Sequence, residues 1–158
     1  MPNEGETSRL WPADNPAVMA HIALLQGIIN RLADNSASCK TWCLTLVAAL
    51  ISLAGATHVP AILTGGLVPI VIFGFVDTMY VAQERAYREL YACVIDDIRK
   101  GTYALDHAFE ARAPLSIRGC LKAVSSWSIF SVYAGLIALY GIAHCAGWLA
   151  ALARPLGT

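Results

Sequence analysis

The stretch TWCLTLVAALISLAGATHVPAILTGGLVPIVIFGFV, Thr41 to Val76, holds no Asp, Glu, Lys or Arg, and His58 and Pro60 stand near its middle. One bilayer crossing needs about 20 apolar residues. A longer run folded at a central turn therefore reads as two membrane helices in a hairpin, because helices satisfy their own backbone in lipid. A second charge-free run, Ala123 to Ala153, supplies a third crossing. The expected fold is an all-α integral membrane protein, a long antiparallel helical hairpin that extends into the cytosol plus a third transmembrane helix. At 158 residues the chain reads as a single domain. Its expected parts are an N-terminal arm (1–15), a long helix with the first span (16–57), the second span with a cytosolic helix (61–100), a cytosolic connector (101–122) and the third span (123–153).

Composition agrees with this reading. The chain is 57% hydrophobic and 14% charged with a mean hydropathy of +0.56, against about 25% charged in soluble proteins. Eleven basic and eleven acidic side chains cancel, so no global field attracts nucleic acid, and none is expected as a partner. Glu4 and Glu6 occupy the start, and the long apolar run begins only after Lys40. The first span is therefore expected to serve as its own uncleaved anchor. Five cysteines, with Cys39, Cys93 and Cys120 on the expected cytoplasmic side, give no disulfide framework.

Basic residues are spread unevenly. Arg9, Arg31 and Lys40 precede the first crossing, none lies in the Thr57–Pro60 turn, and most of the rest fall between Asp77 and Lys122. The positive-inside rule puts the N-terminus and the 77–122 segment in the cytoplasm and the turn outside. Trp42 and Trp127 then stand at the cytoplasmic interface and Trp148 at the opposite one.

Asp14 and Asn15 are placed to cap a helix whose first residue is Pro16. From there Val18, Ile22, Leu25, Ile29, Leu32, Ser36, Cys39, Cys43, Leu46, Leu50 and Leu53 form one stripe by alternating steps of four and three. The stripe predicts one continuous helix; an interfacial helix broken near Asn35-Ser36 is the alternative. After Asp77 a second stripe, Tyr80, Glu84, Tyr87, Tyr91, Val94 and Ile98, carries oppositely charged pairs four apart, Glu84–Arg88, Arg85–Glu89 and Asp96–Lys100. Gly101 is placed to end that helix. Within the second span Pro69 invites a kink among Gly65, Gly66 and Gly74. The third span carries small residues four apart, Ser131/Gly135, Ala134/Ala138, Gly141/Cys145 and Ala143/Gly147. They predict close packing against the hairpin or between subunits.

Folding the first run about His58–Val59 sets Lys40 opposite Asp77, Arg31 near Glu84 and Asp34 near Arg85. Such charges either end the crossings at the interface, or Asp77 lines a cation-accessible vestibule. Tyr80, Tyr87 and Tyr91 with Arg85 and Arg88 form an aromatic and basic face that suits either coiled packing or a partner or ligand. Cys39 and Cys43, four apart, share a face, but neither they nor His21, His58, His107 and His144 form a metal signature. They read as packing residues, and His144 as an interhelical contact. Asp96 and Asp97 point to different sides and make no acid/base dyad. The sequence carries no GxSxG, P-loop, GxGxxG or HExxH, so neither an enzyme nor a cofactor is expected.

The segments His21–Ser36, Cys39–Val47 and Val76–Tyr91 resemble a family of small uncharacterised bacterial membrane proteins, over about residues 18–95. The build is also similar to transmembrane effectors of bacterial anti-phage systems. That similarity implies homo-oligomers that make an ion-conducting path or a membrane lesion. Gly65, Gly66, Pro69, Gly74 and Thr78 would line the path and Asp77 its mouth, since three spans in 16.9 kDa enclose no pore alone. The competing expectation is a non-conducting scaffold or sensor whose cytosolic helices bind a partner protein.

Overall fold

The computed structural model describes residues 15–59, 61–103, 112–113 and 116–152. Asp14, Pro60, His107, Pro114 and Arg154 lie outside the described residues, as does the ring of Trp148. Helix is the sole regular structure among the described residues. Its elements are α1 (Pro16–Thr57), α2 (Ala61–Thr64), α3 (Leu67–Lys100), α4 (Ile117–Val124) and α5 (Trp127–Leu152). Three helical stretches, Pro16–Thr57, Ala61–Lys100 and Trp127–Gly147, are long and apolar enough to cross a membrane.

The α1 helix begins where the sequence places it. The Asn15 side chain accepts the Ala17 amide at 2.9 Å, and Pro16 occupies a first-turn position where its missing N–H costs nothing. It then runs for 42 residues without interruption, about 60 Å at the helical rise, so the break near Asn35-Ser36 does not occur. His58 stops it in the left-handed region at φ 57. The α3 helix packs antiparallel to α1, since Cys43 meets Pro69, Lys40 meets Asp77 and Gln26 meets Tyr91. Gly101, at φ 68, turns the α3 end back, and its amide bonds the Ile98 carbonyl.

The predicted stripe of α1 holds through Cys43 and then shifts. Val47 and Ala54 are buried, whereas Leu46 and Leu53 are exposed. A straight helix drifts about 20° per heptad from a 3.5-residue repeat. Where both faces are apolar, small residues win the contact because they let backbones approach.

The second span also departs from expectation. The interruption lies at Gly65-Gly66, between α2 and α3, and not at Pro69. There the amides of Gly65, Gly66 and Val68 bond carbonyls three residues back. Pro69 sits in the first turn of α3, where a missing donor is tolerated. In the third span the helix begins at Trp127, after the separate α4 and a break at Ser125-Ser126.

The small-residue pairs of α5 do not make its contact with the hairpin. Its buried face is Ile129, Tyr133, Leu136 and Tyr140, while Gly135 and Gly141 look onto open space. The close approach is inverted, with the glycines on the opposing helices. A side chain at Gly66 would lie 2.6 Å from the Tyr140 ring, and one at Gly74 would lie 3.4 Å from the Tyr133 ring. Tyr140 also donates its hydroxyl to the Leu63 carbonyl, which accepts the Gly66 amide as well, so two donors share one acceptor at the break. His144 stacks on Tyr140 within α5, with ring centroids 5.8 Å apart, so its ring contact lies within one helix.

Gly66→Ala is expected to destabilise the fold by about 1–3 kcal/mol through overpacking against Tyr140. Gly135→Ala, which meets no neighbour, is expected to be neutral or to stabilise by up to about 1 kcal/mol. Denaturant unfolding of both variants in detergent micelles checks the difference; equal midpoints would contradict the socket.

Candidate functional site

The site is built around Asp77, whose side chain is 0% exposed. Lys40 of α1 reaches it across the hairpin, with Nζ 2.7 Å from Oδ2 and 2.9 Å from Oδ1. Ser36, one turn earlier on α1, donates its hydroxyl to Oδ1 at 2.5 Å and accepts from Lys40 Nζ at 2.7 Å. The three side chains close a ring in which one carboxylate receives two donors and an ion pair. A sealed carboxylate needs such neutralisation, since an unpaired buried charge carries a penalty of several kcal/mol. The α5 helix covers the ring: Tyr133 is buried over Gly74, three residues before Asp77 on α3. Tyr133 Oη completes no hydrogen bond of good geometry among the described residues.

The other two charge matches do not form. Glu84 pairs with Arg88, its neighbour one turn on, at 2.5 Å. Arg85 turns to the α4–α5 junction, donating to the Lys122 carbonyl at 3.0 Å and to Ser126 Oγ at 2.7 Å. Arg31 and Asp34 are exposed. Folding the run matched depth, but facing depends on angle about the axis, and the α1 face that meets α3 carries Leu32, Ser36 and Cys39. The Asp96–Lys100 pair forms at 2.5 Å; Arg85–Glu89 does not.

The expected path-lining residues are absorbed into packing. Gly66 and Gly74 seat the tyrosines of α5, and Thr78 is buried with its hydroxyl on the Gly74 carbonyl at 2.7 Å. Pro69 is half-buried against Cys43, and only Gly65 is exposed. Asp77 is sealed, so it lines no vestibule. The aromatic face is likewise divided. Tyr87 and Tyr91 pack on a second core made by Val18, Leu25, Val94 and Tyr103, Tyr80 is half-buried, and Arg88 projects outward.

Comparison with family models, curated proteins and solved structures yields no match to the chain.

Sequence reasoning missed a polar contact at the far end of the stalk formed by α1 and α3. His21 is buried, and its Nδ1 lies 2.6 Å from Tyr103 Oη. The chain reverses at Gly101 and brings Tyr103 back under the helix pair. Burial pushes the Tyr103 phenol above its ordinary value. Cys39 and Cys43 are buried packing residues, and no group of three or more His, Cys, Asp or Glu gathers as metal ligands among the described residues.

Removing either partner of the ion pair, by Lys40→Met or Asp77→Asn, is expected to cost about 3–5 kcal/mol, and the double variant less than the sum. Unfolding in micelles measures the cycle; additivity would show that the pair does not couple the helices. At Tyr103 the unfolded phenol ionises first, near pH 10, while the folded one keeps its proton, so its stabilisation is whole below about pH 10 and lost as pH rises beyond it. Amide exchange of residues 18–25 and 94–103 is expected to quicken above that pH in the parent chain and to lose this alkaline limb in Tyr103→Phe.

Proposed function

We propose that the chain is a non-conducting scaffold of the bacterial inner membrane. It crosses three times with its N-terminus in the cytoplasm, and the stalk of α1 and α3 docks a cytosolic protein. The supporting observation is how its polar groups are used. Asp77, Ser36 and Lys40 satisfy one another, and the Gly65-Gly66 break is closed by its own three-residue backbone bonds with Tyr140 on the Leu63 carbonyl. The outward faces are then left to large apolar side chains: Val68, Val71, Ile72 and Phe75 on α3, and Phe130, Ile137, Ile142 and Leu149 on α5. These suit lipid, whereas a water-filled path needs polar lining. Trp42 and Trp127, both exposed, stand at the level of Lys40 in the manner of an interfacial belt. Beyond it α1 exposes Met19, Leu24, Arg31 and Asp34, a mixture of apolar and charged side chains suited to a protein partner.

The second reading is an oligomeric ion-conducting or permeabilising assembly, as the likeness to anti-phage effectors implies. It is favoured by Thr41, Thr45 and Ser52, which are exposed along one side of α1 and which several copies could turn toward an axis. The hydroxyls of Thr41 and Thr45 bond their own helix.

Purified chain reconstituted in proteoliposomes is expected to hold a potassium gradient as well as empty vesicles do. It is also expected to capture a stoichiometric soluble protein through crosslinkers placed at residues 19 and 31. Gradient loss that rises with protein density and vanishes on Thr45→Leu would replace the scaffold by the second reading.

A further inference from the structure

Two cavities meet at Lys40. The first, about 420 Å³, is lined by charged and hydroxyl side chains, among them Lys40, Glu84, Arg85, Arg88, Ser126 and Ser128. The second, about 410 Å³, is an apolar crevice between α1 and α5 lined by Leu44, Val132, Gly135, Leu136 and Leu139, with Lys40 and Thr41 at its upper rim. Ser128 and Val132 are one turn apart on α5, and Lys40 and Leu44 one turn apart on α1. The polar cavity therefore continues directly into the apolar one.

Among the described residues, charge in the polar cavity does not balance: Lys40 faces Asp77 and Arg88 faces Glu84, but Arg85 bonds a carbonyl and a hydroxyl and no carboxylate. Its guanidinium keeps further N–H donors for a ligand. A single-charge anion held by a fork of donors is the chemistry of a phosphodiester.

We infer that this paired cavity binds an anionic glycerophospholipid, its phosphodiester against Arg85, Ser126 and Ser128 and an acyl chain in the crevice floored by Gly135. The apolar crevice distinguishes this ligand from free phosphate, which has nothing to place there. The inference rests on the membrane reading above, and not on the scaffold role.

The test is native mass spectrometry of the full chain released from micelles containing phosphatidylglycerol or phosphatidylcholine. The parent is expected to retain phosphatidylglycerol in preference. Arg85→Gln is expected to weaken that retention about fivefold, the worth of one basic side chain at an anionic surface. If Arg85→Gln unfolds the α4–α5 junction, Ser128→Asp, at an exposed position, carries the same test by repulsion and is expected to lose the lipid. Gly135→Leu fills the crevice without touching the cations, and is expected to lose the lipid at an unchanged melting temperature. Equal retention of both lipids, or Gly135→Leu retaining phosphatidylglycerol like the parent, would overturn the inference. Displacement of the lipid by inorganic phosphate alone would overturn it in favour of a free-anion site. Carbonate-resistant sedimentation with membranes, measured on the same preparation, tests the membrane reading separately.

Discussion

A carboxylate with no exposed surface must be neutralised where it stands, and Asp77 sets that condition for the whole hairpin. Apolar packing between two long helices is permissive along the axis, most of all where lipid is as apolar as the partner helix. An ion pair is not permissive. Sliding α3 by one residue rotates its side chains by about 100° and raises them about 1.5 Å. That slip would take Asp77 away from both Lys40 and Ser36. The ring of three side chains therefore fixes register at one depth, and the uninterrupted α1 carries that register outward in both directions.

The third long helix engages the hairpin at two points on the same terms. Tyr133 lies over Gly74 three residues from the ion pair, and Tyr140 lies over Gly66 with its hydroxyl on the Leu63 carbonyl. Each ring fills a glycine socket, and Tyr140 adds a polar tip that joins α5 to α2. At the far end of the stalk, His21 and Tyr103 make a further polar contact between buried rings. Lys40–Asp77, Gln26–Tyr91 and His21–Tyr103, spaced along the length, hold α1 to α3 and to the turn that follows it.

Much of this was legible in the sequence because it depends on local chemistry. The Asn15-Pro16 start, the Gly101 stop, the turn at His58 and the depth match of Lys40 with Asp77 all follow from caps, turns and the positions of charges. What failed depended on angle about a helix axis. Arg31 and Asp34 share depth with Glu84 and Arg85 but not facing, and the stripe of α1 rotates from Leu46 to Val47. Size complementarity was visible only in part. Gly66 and Gly74 were read as a path lining because glycine permits water and close helix approach alike. Tyr133 and Tyr140, placed seven apart on the other run, supply the missing half of that pattern. The contact of His21 with Tyr103 had no sequence signal, since it spans the whole hairpin and depends on the reversal after Gly101.

The unequal treatment of the two arginines on α3 bears on how the parts are joined. Arg88 is satisfied within its own helix, so its loss leaves the connections between elements intact. Arg85 spends its donors on Lys122 and Ser126, which bracket the break between α4 and α5. That break is where the connector meets the third span, and its own bonds are few: Ser126 accepts the amides of Ile129 and Phe130, and the Ser125 and Ser126 amides reach back into α4. One side chain thus ties the stalk helix to the elbow of the third span, and it does so with neutral acceptors that leave its charge uncompensated. The remaining N–H groups of the guanidinium stay free, so the charge can be met by an anion with the elbow contacts intact.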